Sequence, residues 1–260
     1  MIKQKDLWIW GQDAGSHHAV MNNAWNLPGE NKMEPMEGAE YLHIPNMCRI
    51  AMSGLPKPPF DEEAEKFLSC NEVVWSIMGD SESKRFNEGD TDIDAVIDIA
   101  KKYPNITGGA MDDFFSGTRM GVFTPEVLHG LSEKLHAHNL DLWTVVYIHD
   151  LEKDISAHLA ECDVISLWHW CSEELQDIRG NFEKLKTLLS PDKKIYAGCY
   201  FWDYGNCKSM SMDDMRLQLE QYEMLYDEGI ISGVIFCSNC IADIGLDTVE
   251  YTKKWIEERM

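Results

Sequence analysis

Residues 106–150 decide the fold: "ITGGAMDDFF" (106–115), "TPEVLHGLSEKLHAH" (124–138) and "DLWTVVYIHD" (141–150) follow one another along the chain. The first and third are rich in β-branched or aromatic residues and too short for a helix, so they read as strands. The middle stretch reads as a helix. Thr124 stands at its N-cap position, Pro125 lies in its first turn and Glu126 sits near the positive end of its dipole. Its Val127, Leu128, Leu131 and Leu135 fall on one face, the spacing of a helix packed against a sheet.

The same alternation runs through the whole chain. Further strand-like runs are "LWIWG" from Leu7, "MCRIAM" from Met47, "EVVWSIMG" from Glu72, "CDVISLWHW" from Cys162, "KIYAGCYFWD" from Lys194 and "ISGVIFCSNC" from Ile231, which makes eight. Residues 173–189 form a second clear helical pattern through Leu175, Ile178, Phe182, Leu185 and Leu189. Ser211 to Glu228 forms a third through Met215, Leu219, Tyr222 and Leu225, and it ends at Gly229, a typical residue just past a helix. A last helix carries Val249, Trp255 and Ile256, and a short one is expected near Pro35–Ile44, after a long loop over 12–33. Strand then helix, eight times at intervals of roughly 20 to 40 residues, predicts a (β/α)8 barrel, one α/β domain over residues 1–260. A doubly wound open sheet rarely needs eight strands in this length, and no glycine-rich phosphate loop follows the first strand.

Bulk properties narrow the partners. A chain of 260 residues with a formal charge of −22 repels phosphate backbones and anionic lipid surfaces, so neither nucleic acid nor membrane is expected. The acid is spread along the chain, as on a soluble surface. The N-terminal "MIKQKDLWIW" has no apolar signal core, and no run approaches the roughly 20 apolar residues of a membrane span. The eight cysteines are scattered singly, Cys48, Cys162, Cys199 and Cys237 inside apolar runs, which fits free buried thiols in a reducing compartment. A cytoplasmic protein acting on a small molecule or oligosaccharide is the expectation.

In a barrel of this kind the active site lies at the C-terminal ends of the strands. Those ends are Trp10-Gly11-Gln12, Ser53, Gly79-Asp80, Asp112-Asp113, His149-Asp150, Trp168-His169-Trp170, Trp202-Asp203-Tyr204 and Ser238-Asn239. Carboxylates and tryptophans converge on one rim. Seven of the nine tryptophans fall in proposed strands. Aromatic faces stack on sugar rings while Asp, Asn and His hold hydroxyls, so Trp168, Trp170 and Trp202 are candidate sugar contacts. Trp10, Gln12, His149, Asp150, His169, Tyr204 and Asn239 complete the candidate binding set. Trp8, Trp75 and Trp143 are instead expected to fill the space between barrel and helices.

The adjacent aspartates pose a geometric problem. Neighbours in a regular strand point to opposite faces, so both reach one cleft only if the strand bends at its end. Gly108 and Gly109 upstream permit close packing or a bulge. If both face the cleft, their proximity raises one pKa and leaves one proton shared, the acid-and-base pair that glycosidic cleavage requires. The other arrangement has Asp112 capping the loop, with only Asp113 facing a ligand. A further pairing sets Asp113 across the mouth from Asp203, where the separation distinguishes retention from inversion.

The barrel pattern and "GGAMDDFF" resemble the retaining glycoside hydrolases, and the consecutive aspartates ending the fourth strand are most similar to glycoside hydrolase family 84, the β-N-acetylglucosaminidases. The resemblance implies that Asp112 orients the substrate's own 2-acetamido group, which attacks the anomeric carbon. It implies that Asp113 acts as general acid and then base. "CYFWDYGN" is also similar to that family's aromatic and acidic cluster near the seventh strand, which would put Asp203 near sugar hydroxyls. The chain lacks an equivalent of the family's sugar-holding basic residue. Arg49, in the second strand, either substitutes for it or forms a buried ion pair.

No cofactor is implied, but two other functions stay open. A metal-dependent sugar isomerase or hydrolase would draw ligands from His17, His18, His149, His169 and the aspartates, although none of these has a recognised ligand spacing. "CSNC" at 237–240 is a lone CxxC, more often a pair of strand-end thiols than half a zinc site. A non-catalytic carbohydrate-binding barrel is the third possibility.

Overall fold

Each apolar run becomes a strand, and the eight long ones close on themselves. A computed structural model describes residues 1–260. Its barrel strands are β1 (Leu7–Gly11), β2 (Asn46–Arg49), β3 (Glu72–Met78), β4 (Ile106–Met111), β5 (Asp141–Tyr147), β6 (Val164–Trp168), β7 (Lys194–Tyr200) and β10 (Gly233–Cys237). Two short strands between the last two, β8 (Trp202–Asp203) and β9 (Lys208–Ser209), form a separate antiparallel hairpin. The closed order is β1-β10-β7-β6-β5-β4-β3-β2, with every neighbouring pair parallel. Burial on both faces explains why these strands read as near-continuous apolar runs and not as alternations. The helices Pro125–His136, Ile178–Thr187, Met212–Asp227 and Asp247–Glu257 lie where the apolar faces predict them. Thr124 does hold the N-cap position, but its side chain bonds no helix amide. Val127, predicted on the packed face, is exposed. No helix is long and apolar enough to cross a membrane.

The tryptophans divide differently from expectation. Trp8 on β1 lies 5.0 Å from Trp143 on β5, ring centre to ring centre, and Tyr196 on β7 lies 5.1 Å from Trp143. Strands β1 and β5 are not neighbours, so Trp8 and Trp143 meet across the barrel interior, not between barrel and helices. Their layer fills the barrel floor beneath the cleft. Trp75 does pack outward, 5.2 Å from Phe60 and 5.7 Å from Phe67.

Gly198 on β7 makes room for the next layer. A Cβ there would stand 1.9 Å from Cδ2 of Trp168, inside the ring's own volume. Gly198→Ala is therefore expected to cost about 1–3 kcal/mol by overpacking and to push Trp168 out of line. Urea denaturation measures the loss; an unchanged midpoint would mean that the ring has space to move.

Candidate active site

The C-terminal ends of the strands open onto a cleft of about 280 Å³. Asp112 and Asp113 both line it. The bend that this requires is present: Asp113 has φ of +48°, in the left-handed region, so the chain turns over immediately after Asp112. Upstream, Val73 on β3 pairs with Ile106 but Val74 pairs with Gly108, so Thr107 is bulged out of register. A Cβ at Gly108 would stand 2.7 Å from the Asp141 carbonyl oxygen, so both expectations for this glycine hold, the bulge and the close packing.

The two carboxyl groups have different surroundings. Asp113 accepts from Ser81 twice at Oδ2, from the backbone N–H at 3.1 Å and the hydroxyl at 3.0 Å, and from the Tyr147 hydroxyl at Oδ1 at 2.9 Å. Three converging donors suit a carboxylate that acts as acceptor only. Asp112 is almost wholly buried, and burial pushes its carboxyl well above the usual range. The neighbouring charges of Asp113 and Asp80 push in the same direction, with Arg119 opposing them. The pair is thus unequal: burial favours the neutral form of Asp112, while Asp113 is held by three donors. Asp80, at the end of β3, takes the Ser53 N–H on Oδ2 at 2.5 Å, and burial raises its pKa too.

Arg119 fixes this acidic corner from behind. Fully buried, it donates from Nη1 to the carbonyls of Gly79 at 2.9 Å and Asp112 at 2.6 Å. Nη2 donates to the Asp80 carbonyl at 2.5 Å, and Nε to Asn87 Oδ1 at 2.7 Å. The guanidinium fork therefore ties the ends of β3 and β4 together.

Aromatic rings wall the rest of the cleft. Trp170 stacks on Tyr204 with centres 5.4 Å apart and planes 25° from parallel, and Trp10 meets Trp168 edge-on at 5.3 Å. Tyr147 stacks on His149 at 5.5 Å. The long 12–33 loop supplies Val20, Met21 and Trp25 to the wall, and it sets His17 between Tyr204 and Gln12. His17 Nδ1 lies 2.8 Å from the Tyr204 hydroxyl and Nε2 lies 2.5 Å from Gln12 Oε1. Burial pushes His17 down to about 3, so it is neutral and passes one hydrogen bond to the next.

Of the residues expected at the site, Trp10, Gln12, Asp112, Asp113, His149, Trp168, Trp170 and Tyr204 line the cleft. The others lie outside its lining for specific reasons. Arg49 is a buried ion pair: Nε donates to Glu63 at 3.0 Å, Nη1 to the Gly11 and Ile50 carbonyls, and Nη2 to Asp13. Asp150 folds back onto the Tyr147 N–H at 2.9 Å and the Lys153 ammonium at 2.7 Å. His169 points outward, packing against Phe182 and Tyr222. Asn239 stitches the first loop, exchanging bonds with the Gln12 backbone at 2.9 and 2.8 Å. Trp202 donates to the Trp25 carbonyl at 3.1 Å. Asp203 holds the hairpin through the N–H and side chain of Asn206, each at 3.1 Å, and is absent from the cleft lining that contains Asp113.

Sequence reasoning missed Ser81, Glu82, Tyr147, Tyr200, His17 and Trp25 as lining residues, and left Asp80 without a role. Period-two counting along β5 would have found Tyr147, which shares a face with Val145 in the cleft. The loop residues carry no such periodicity. The metal alternative lacks a ligand set, since no group of three or more His, Cys, Asp or Glu side chains is placed to hold an ion. All eight cysteines are free, Cys237 and Cys240 included.

No family model matches the chain, and no curated protein matches it. Solved structures do match in shape. A chitinase from Chromobacterium violaceum ATCC 12472 superposes with a TM-score of 0.59 over 98% of this chain and 99% of its own, at 11% identity. A probable 2-pyrone-4,6-dicarboxylic acid hydrolase from Acinetobacter baumannii gives 0.53 over 97% and 91%, also at 11%. A mutant tryptophan synthase α-subunit from Pyrococcus furiosus gives 0.51 over 100% and 99%, at 11%. Identities this low carry the fold and nothing of the chemistry, and the three activities named differ. The chain is a (β/α)8 barrel.

Proposed function

We propose that this barrel hydrolyses a glycosidic bond, with Asp112 as proton donor and Asp113 as the carboxylate working beside it. The observation that carries this is the pair itself: two adjacent carboxyl groups facing one aromatic-walled cleft, one buried so that its neutral form is favoured, the other held by three donors. As the bond from the anomeric carbon to the leaving oxygen breaks, Asp112 delivers its proton to that oxygen. Water then adds to the anomeric carbon and gives its proton to a carboxylate of the pair. Trp168, Trp170 and Tyr204 supply faces for the sugar. The chitinase adds support by analogy of fold alone.

This order of roles reverses the one implied by the resemblance to family 84. In the acetamido-assisted version of the reaction, Asp113 would hold the substrate's amide N–H. A panel of aryl glycosides, N-acetylhexosaminides included and with EDTA present or absent, tests the proposal. Chelator-insensitive hydrolysis is expected, and the best substrate decides on acetamido assistance. Sugar binding without turnover on any member would favour a non-catalytic binding barrel. Activity lost to EDTA and restored by a divalent ion would favour the metalloenzyme.

A further inference from the structure

The lining of the cleft is strongly one-sided in charge. Asp80, Glu82, Asp112 and Asp113 face it, while no lysine or arginine does. The nearby guanidinium of Arg119 is fully buried and spent on carbonyl oxygens and Asn87. Of the two histidines in the lining, His17 has both ring nitrogens occupied. Asp80 is only 7% exposed, and its Oδ1 has no hydrogen-bond partner although Oδ2 is bound by Ser53. A buried carboxylate oxygen without a donor is costly, and a ligand that brings a donor removes that cost. The rings of Trp10, Trp168, Trp170, Tyr147, Tyr200 and Tyr204 line the same cleft, and aromatic rings attract cations.

We propose that the cleft selects a positively charged ligand, a sugar bearing a free amine, with Asp80 as the residue that receives the ammonium and Glu82 supporting it from the rim. Naming the ligand a sugar rests on the glycosidase proposal; the charge preference does not. An ammonium brings three donors and a full charge to a site that has acceptors in excess, whereas a uronate meets only repulsion. A free ammonium has no acetamido oxygen to attack the anomeric carbon, so this specificity goes with the two-carboxylate route.

Isothermal titration calorimetry of glucosamine, N-acetylglucosamine, glucose and glucuronate, at slightly acid pH where the amine is charged, tests this without needing turnover. Glucosamine should bind on the order of tenfold tighter than glucose, and glucuronate not at all. Asp80→Asn, close in shape and still able to accept from Ser53, should remove the preference for the amine while glucose still binds. Glu82→Gln, at an exposed position, should reduce it. Equal affinity for glucosamine and glucose overturns the inference, as does a preference that survives both variants or a failure of all four sugars to bind. An Asp80-dependent preference in a protein that cleaves no glycoside would sink the glycosidase proposal and leave this one standing. Efficient cleavage of neutral glycosides with no preference for amines would do the reverse.

Discussion

Asp112→Asn should lower kcat about 10²–10⁴-fold on glycosides with poor leaving groups, and by less than about tenfold on aryl glycosides whose phenolate departs without a proton. Asp113→Asn should lose about 10²–10⁴-fold on both. The contrast follows from the surroundings of the two groups. Only a protonated carboxyl can give a proton to the leaving oxygen, and burial, with the nearby charges of Asp113 and Asp80, favours the protonated form of Asp112. Under the mechanism proposed above, activated leaving groups bypass that step, while the Asp113 carboxylate is needed whatever leaves. If the roles follow the order in glycoside hydrolase family 84, the leaving-group dependence will appear in Asp113→Asn instead. Rates on a nitrophenyl and an alkyl glycoside for the two variants are enough to decide.

The same carboxyl leaves a signature in stability. Below the ordinary aspartate pKa of 3.8, folded and unfolded chains both hold this proton. Above it the unfolded chain releases the proton and the folded chain keeps it. The folded state then binds more protons, so this group makes stability fall as pH rises, until the raised folded pKa is passed. Asparagine carries no such penalty. Asp112→Asn should therefore melt higher than the wild type at neutral pH, with the advantage shrinking as the pH drops toward the unfolded pKa. A gain in Tm paired with a loss of activity is the outcome expected where a functional group is held in an environment that disfavours its charge. An Asn variant that melts lower at neutral pH would mean that Asp112 is ionised in the folded state.

The contrast between fold and site shows what the sequence carries. All eight barrel strands were legible because strand and helix differ in period and length, and every strand is buried enough to demand an apolar run. The strand-end rule then placed Asp112, Asp113, Trp168 and Trp170 in the cleft. It failed at Asp203, His169 and Asn239 because a strand end faces the cleft only while the strand keeps its course. After Tyr200 the chain enters the β8–β9 hairpin, which claims the Asp203 carboxylate for Asn206. At His169 the alternation that turns Trp168 inward turns its neighbour out toward Phe182. Ser81 and Trp25 belong to loops, where position is set by tertiary contacts and not by any local pattern. Arg119 was invisible for the same reason, since nothing in "SGTRMGVF" announces a guanidinium that will bind three backbone carbonyls.

Arg119→Met should cost about 3–5 kcal/mol, since removing one partner of a buried charged network leaves the others unmatched. The substitution keeps an unbranched side chain of similar reach but strips donors from the carbonyl oxygens of Gly79, Asp80 and Asp112 and from Asn87 Oδ1. It also removes the one positive charge set against the acidic corner formed by Asp80 and Asp113. Arg119→Lys separates these two effects. A lysine restores the charge, but its ammonium is a single point and cannot span carbonyls on two different strands as the planar fork does. It should recover part of the stability in urea denaturation while activity stays low, because Ser81, which clamps Asp113, follows directly on the Asp80 carbonyl that the fork holds. A lysine variant as active as the wild type would make Arg119 a counter-charge and nothing more. A lysine variant that folds well but turns over slowly would show that the fork sets the angle at which the two aspartates meet the substrate.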